Sequence, residues 1–384
     1  MDNGGKLLLV LAVAAAALVA VVVLTLPSSE PDGGNDPASD PVDPVIPESP
    51  YPEGITFDPS TGVLSSTEEI QWSVVSLFDR YVDRVPEEYV GSVHKFDPGY
   101  YRVTAKGESF EIIAEGTISK TDSWKYSYGG VSRAVSVTYG INVSELAGVM
   151  AENGEWNKSE KHYFKDLPRE VYVNDSVRSI VSQMEVQFKD MGGSVEDRQS
   201  FADFLASYAQ CSVKYPDWSP VFDEDGNPVM DYTFDGKAVQ RTSTDYDVWG
   251  RSEYWANTLE TLFFGIGDCE DSAAVACALF KAAGFKTAMV GSPGHVMASV
   301  ALDSFTERDL SDYKDILKVT PSSYGLSCSD DAIFCDDRSV SYYGAETTEG
   351  QSPVGYLLKG PDSTLKEEDK NETSAGRSGF YSVQ

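Results

Sequence analysis

Residues 7–26, LLLVLAVAAAALVAVVVLTL, form an uncharged apolar run, and no other feature constrains the chain as strongly. Wound as a helix, such a run rises about 30 Å, the thickness of a bilayer's hydrocarbon core. Lys6 precedes it, and Glu30, Asp32 and Asp36 follow. The short basic flank therefore stays inside and the remainder of the chain lies outside. Residues 1–26 read as a membrane anchor or a signal. A cleaved signal has a shorter apolar core ending in small residues, whereas the 21–26 stretch, VVVLTL, is bulky, which favours an uncleaved, single-pass anchor. Pro, Asp, Ser and Gly dominate residues 27–52. Such a segment cannot bury a core and is expected to be an extended stalk, running to about residue 60.

With 384 residues, 41% of them hydrophobic, the chain can fold a small and a larger domain between two polar ends. Lys and Arg number 30 against 61 Asp and Glu, a net charge of −31. That excess repels phosphates and anionic headgroups, so nucleic acid is not a partner; the membrane is reached only through residues 7–26. Asn142, Asn157, Asn174 and Asn371 each open a glycosylation triplet, in keeping with an extracellular location.

Residues 61–166 read as a β-rich domain. Alternating β-branched and aromatic residues mark strands over 100–105, 109–114 and 134–143, while 68–81 suggests a short amphipathic helix. From Asp175 the period becomes helical: Val177, Ile180, Val181, Met184 and Phe188 recur at three- and four-residue steps. A second helix is expected over 197–211, followed by a long Asp-, Pro- and Gly-rich loop. Its FDEDGNP stretch lacks the terminal Glu of a calcium loop and reads as a hairpin turn. The second domain spans 167–359, and 360–384 is expected to be a loose tail.

The chemistry concentrates in residues 267–284, GDCEDSAAVACALFKAAG. Asp268 suits an N-cap, with Asp271 as capping-box partner, which puts Cys269 at the first helical position. There the helix dipole and the free N–H groups favour a thiolate and can stabilise an oxyanion. Cys269, Ala273, Ala276, Cys277 and Phe280 share one helical face. Asp268, Glu270 and Asp271 work against ionisation, so a cationic partner is required. Of three histidines, His94 and His162 sit in polar surroundings. His295 opens a strand just after Pro293 and Gly294, where a hairpin beside the helix brings its ring to the sulfur.

GDCED, an Ala-rich helix ending in AAGF, and PGHV together resemble the transglutaminase-like superfamily, in particular its secreted prokaryotic branch. TLETL at 258–262 and YGAETT at 343–348 are also similar to segments of that branch. The resemblance covers residues 175–357. It implies an α+β, papain-like core, helices on an antiparallel sheet, with a Cys–His–acid triad, no cofactor and no metal. The remaining cysteines lack the paired spacing of zinc ligands. The acid is Glu346 where the family usually has Asp; Asp303, about 26 Å along the strand from His295, is out of reach. Trp255 and Tyr254 are the side-chain candidates for the oxyanion hole beside the Cys269 N–H. Cys328 and Cys335, in the 303–341 insertion, are the disulfide candidates, and Cys277 is expected to stay reduced. The implied activity is acyl transfer from an amide of a protein or peptide through a Cys269 thioester. Hydrolysis is favoured over cross-linking, and a non-catalytic surface module with a relic triad is the rival class.

Overall fold

A computed structural model describes residues 50–383, apart from 159–162, 216–219, 224–225, 235–236, 241–242, 252, 293–294, 309–315, 319–340, 349 and 359–378. The apolar run, Asn371, Cys328 and Cys335 lie outside the described residues. Among the described residues no helix is long and apolar enough to cross a membrane. The architecture is α+β, in two compact units.

The first unit, residues 50–78 and 85–116, is an antiparallel sheet of β1 (Ile55–Asp58), β2 (Val63–Ser76), β3 (Glu87–Lys95), β4 (Gly99–Ala105) and β5 (Glu108–Ala114). Strand order is β1-β2-β4-β5, with β3 also paired to β2. Ile55, Leu64, Trp72, Val103 and Ile112 form its core, and the Trp72 indole N–H donates to the Gly91 carbonyl at 3.0 Å. The helix expected over 68–81 is instead the second half of β2. Trp72 and Val74 alternate inward, and a register shift between Ser65 and Ile70 leaves Glu68 and Glu69 in solvent. The acidic pair mimics a helical polar face, but the period is two.

The second unit comprises residues 79–84 and the chain from Thr117 on, so it takes in much of the region that the sequence assigned to the β-rich domain. The reason lies in the hairpin of β6 (Thr117–Tyr128) and β7 (Val131–Asn142). Trp124, Tyr126, Val135, Val137, Tyr139 and Ile141 alternate inward along it. β7 leads into α1 (Val143–Asn157), and α2 (Asp175–Asp190) seals the edge of β7. Gln183 and Gln187 of α2 each accept from and donate to a β7 residue, Thr138 and Ser136, at 2.7–3.1 Å. These amides replace the missing neighbouring strand, satisfying backbone groups that would otherwise stay unpaired.

There follow α3 (Arg198–Ser212), a hairpin of β8 (Met230–Phe234) and β9 (Lys237–Gln240), α4 (Ser243–Trp249), α5 (Thr258–Phe264) and α6 (Cys269–Ala282). The FDEDGNP stretch is a turn, as expected: Phe222 bridges Pro228, and Asp223 pairs with Asn227. Beyond α6 come β10 (Thr287–Ser292), β11 (His295–Ala301), β12 (Ile316–Lys318), β13 (Tyr342–Ala345), β14 (Tyr356–Leu358) and β15 (Gly379–Ser382). β12 pairs with β14, and the four-stranded antiparallel sheet runs β13-β11-β10-β15. The tail is thus not loose throughout, since β15 supplies an edge strand to β10.

α6 packs on β10 and β11 and also against α2, α3 and α5. Every residue from Cys269 to Phe280 is buried, so the helix is central and does not present a single face. Its alanines allow close approach on all sides, while Val275, Leu279 and Phe280 each contribute about 1.5–3 kcal/mol of burial.

Candidate active site

α5 ends in the left-handed conformation at Gly265, φ +68°, as a glycine C-cap should. Two residues later, a Cβ on Gly267 would lie 2.5 Å from the Asp271 Cβ, so glycine is required for the chain to turn into α6. Asp268 is the N-cap by backbone position, but its side chain makes no capping bond. The expected capping box fails because Asp271 is used elsewhere: its Oδ1 accepts from the Ala256 N–H at 2.7 Å.

Cys269 opens α6, 8% exposed. Its thiol donates to Glu270 Oε2 at 3.1 Å, and the sulfur accepts from the Val296 backbone N–H on β11. Burial first, then the Glu270 and Asp268 charges, push the thiol well above its ordinary value, while the Val296 N–H works the other way. His295, the residue before Val296, is half-exposed, and its Nε2 lies 2.8 Å from Glu346 Oε2.

Glu346 follows β13, whose Ala345 pairs with Ala298 of β11, so adjacent strands carry the ring and the carboxylate. Its other oxygen, Oε1, accepts from the N–H groups of Thr347 and Thr348 and from the Thr348 hydroxyl, at 2.6–2.9 Å. Burial alone would raise its pKa. The His295 hydrogen bond and charge, with the Thr348 bonds, outweigh burial and hold the carboxyl below its usual value. The carboxylate is therefore ionised and fixed. Gln210 donates to the Glu346 carbonyl at 2.7 Å, and Thr347 and Ser272 hydroxyls meet at 2.8 Å, tying this loop to α3 and α6.

The ring's Nε2 is held by Glu346. The structure thus pairs His295 with Glu346 at 2.8 Å, from β11 and the end of β13, while Cys269 opens α6, which packs on β11. Asp303 is exposed and takes no part.

The two oxyanion candidates are not free to serve. The Tyr254 hydroxyl donates to Glu260 Oε1 at 2.7 Å, and its ring stacks on Trp249. The Trp255 indole N–H donates to Glu253 Oε1 at 3.1 Å. Both aromatics are buried, and their polar atoms are taken by carboxylates. A residue without a sequence signal feels the charges of this region. Tyr215, 40% exposed, has its phenol held protonated first by burial and then by Cys269, Asp268, Glu270 and Glu346. It sits in the irregular segment after α3, where no motif marks it.

Two glycosylation candidates are also excluded by the fold. Asn157 is 2% exposed: its amide donates to the carbonyls of Asn153 and Trp255, and its oxygen accepts from the Trp255 N–H. Asn174, 4% exposed, caps α2 and donates to Glu145. Asn142 is exposed at the start of α1. Cys211, Cys269 and Cys277 are free thiols. Metal-binding atoms of Asp268, Cys269 and Glu270 lie within 4.8 Å of one another. No protein-family model and no curated protein matches the chain.

Proposed function

We propose that this protein is a membrane-anchored, extracellular thiol enzyme with a transglutaminase-like core. It would transfer the acyl group of a protein or peptide amide through a Cys269 thioester, with water as the acceptor. The observation that carries this reading is the Glu346–His295 pair at 2.8 Å, with α6, which Cys269 opens, packed on the strand that His295 begins. His295 Nδ1 takes the Cys269 proton as sulfur attacks the amide carbon, then delivers it to the leaving amine; Glu346 keeps the ring's tautomer and stabilises the imidazolium. The Cys269 N–H at the start of α6 and the Tyr215 hydroxyl are the oxyanion donors. Water then attacks the thioester, giving up its proton to the same nitrogen, and the acid and free thiol are released.

The thiol's hydrogen bond to Glu270 and its raised pKa favour a second reading, a surface-binding module that has lost activity. Incubating the full chain with a denatured protein and a labelled primary amine separates the outcomes. Hydrolysis yields new termini without label, cross-linking incorporates the amine, and Cys269→Ala abolishes either. No difference between the wild type and Cys269→Ala would leave the binding module standing.

A further inference from the structure

Asp268 heads α6 without a capping bond from its own side chain, so another group has to fix the first peptide of the helix. That peptide carries the Asp268 carbonyl and the Cys269 N–H. It is planar, so whatever holds the oxygen also aims the N–H on its other side. Ser272, one turn along and 2% exposed, holds the oxygen twice. Its backbone N–H donates to the Asp268 carbonyl at 3.0 Å, the ordinary first bond of a helix. Its hydroxyl donates to the same oxygen at 2.7 Å, the back-bond that a serine makes four residues up a helix. The Cys269 carbonyl, 3.2 Å from that hydroxyl, is the weaker acceptor.

A second hydroxyl extends the arrangement. Thr347 Oγ1 lies 2.8 Å from Ser272 Oγ, and Thr347 is buried as well. Ser272 has one hydroxyl proton and gives it to Asp268, so Thr347 is the donor in this bond. The Thr347 backbone N–H in turn donates to Glu346 Oε1 at 2.9 Å. Hydrogen bonds therefore run from the Glu346 carboxylate through Thr347 and Ser272 to the peptide that carries the Cys269 N–H. Thr347 follows β13 and Ser272 belongs to α6, so the link between the two is made by side chains alone.

We propose that Ser272 and Thr347 are positioning residues that hold the Cys269 N–H, as oxyanion donor, in a fixed relation to the Glu346 carboxylate. Neither touches the reacting atoms. The assignment rests on the acyl-transfer reading, since an oxyanion donor has a task only there. Removing either hydroxyl leaves the other, buried, without its partner. The first peptide of α6 is then free to tilt, and its N–H meets the developing oxyanion at a poorer angle. Such a loss is felt in the transition state and not in substrate binding.

The full-length chain acting on a denatured protein, with new termini counted, provides the test. Ser272→Ala should lower kcat roughly tenfold and leave KM within about twofold. Thr347→Val, which keeps the backbone N–H and loses the hydroxyl, should do the same, and the double variant should be no slower than either one. Thr347→Ser, which returns the hydroxyl, should restore the rate. Alkylation of Cys269, which forms no oxyanion, should stay within about twofold of wild type in every variant. If Ser272→Ala does not fold, the contrast between Thr347→Val and Thr347→Ser decides alone. Losses that multiply in the double variant, or alkylation that falls together with kcat, would mean separate structural roles and overturn the assignment. A wild type that turns over no faster than Ser272→Ala would overturn the assignment and leave the acyl-transfer reading standing. A wild type no more active than Cys269→Ala would sink that reading and the assignment with it.

Discussion

Glu346→Gln isolates what the carboxylate does for the ring. In the wild type, Oε2 accepts from His295 Nε2 while Oε1 holds Thr347 and Thr348 through three donors. The introduced amide oxygen will stay with those three donors, so the amide NH2 must face the ring. His295 Nε2 then becomes an acceptor and its proton moves to Nδ1, the nitrogen that should receive the Cys269 proton. Two losses combine. A charge-assisted hydrogen bond contributes about 1.5–3 kcal/mol, or roughly 10- to 150-fold in rate. The wrong tautomer extends the loss toward about 10⁴-fold, as in triads whose acid becomes an amide. The assay is single-turnover acylation of Cys269 against pH, with circular dichroism to show that the fold is retained. Acylation within about twofold of wild type would refute the reasoning, because neither loss would then have occurred.

Glu260 is buried, and burial, opposed by its bonds to Asn257, Tyr254 and Asn153, raises it to about 7. Its folded value lies above the ordinary one, so the stability it contributes is complete below about pH 4.5 and is lost as pH rises through about 7, on the order of 3 kcal/mol. Urea unfolding in chelator-containing buffer should show a lower midpoint at about pH 8.5 than at about pH 6; equal midpoints would contradict this. Asn157→Ala leaves the Trp255 backbone N–H and carbonyl without their Asn157 bonds and should cost about 1–3 kcal/mol, read as a lower unfolding temperature. Glycopeptide mapping of the secreted chain should find Asn157 and Asn174 unmodified. Full-length protein should partition with membranes, and external protease should release the domains beyond residue 27; a mature soluble form beginning there would indicate a cleaved signal instead.

Cys269, His295 and Glu346 were legible in the sequence as candidates because each stands at the end of an element or segment that the sequence marks. Gly265 and Gly267 announce the start of α6, Pro293 and Gly294 precede β11 in the sequence, and YGAETT at 343–348, which Glu346 belongs to, was marked by its resemblance. What surrounds them was not legible. Tyr254 and Trp255 look like donors from their nearness in sequence, yet Glu260 and Glu253 engage them, and no local rule predicts partners set by packing. Asn157 carries a triplet that the sequence alone cannot tell from an exposed one; its burial depends on α1 packing against α5. The β6–β7 hairpin reads as part of a β-rich domain because its alternation says nothing about which layer covers it. The glutamines of α2, and bonds such as that from the Trp124 indole to Ser207 of α3, assign it to the second unit. At 68–81, two glutamates at a bulge imitated the polar face of a helix.

If His295 activates Cys269, the alkylation rate of Cys269 reports it, read by peptide mapping so that Cys211 and Cys277 do not contribute. Near neutral pH the wild type should react at least about tenfold faster than His295→Ala, whose thiol, left among Asp268, Glu270 and Asp271, stays protonated. Equal rates for the two proteins at every pH would contradict the account: the thiol would then owe nothing to the imidazole.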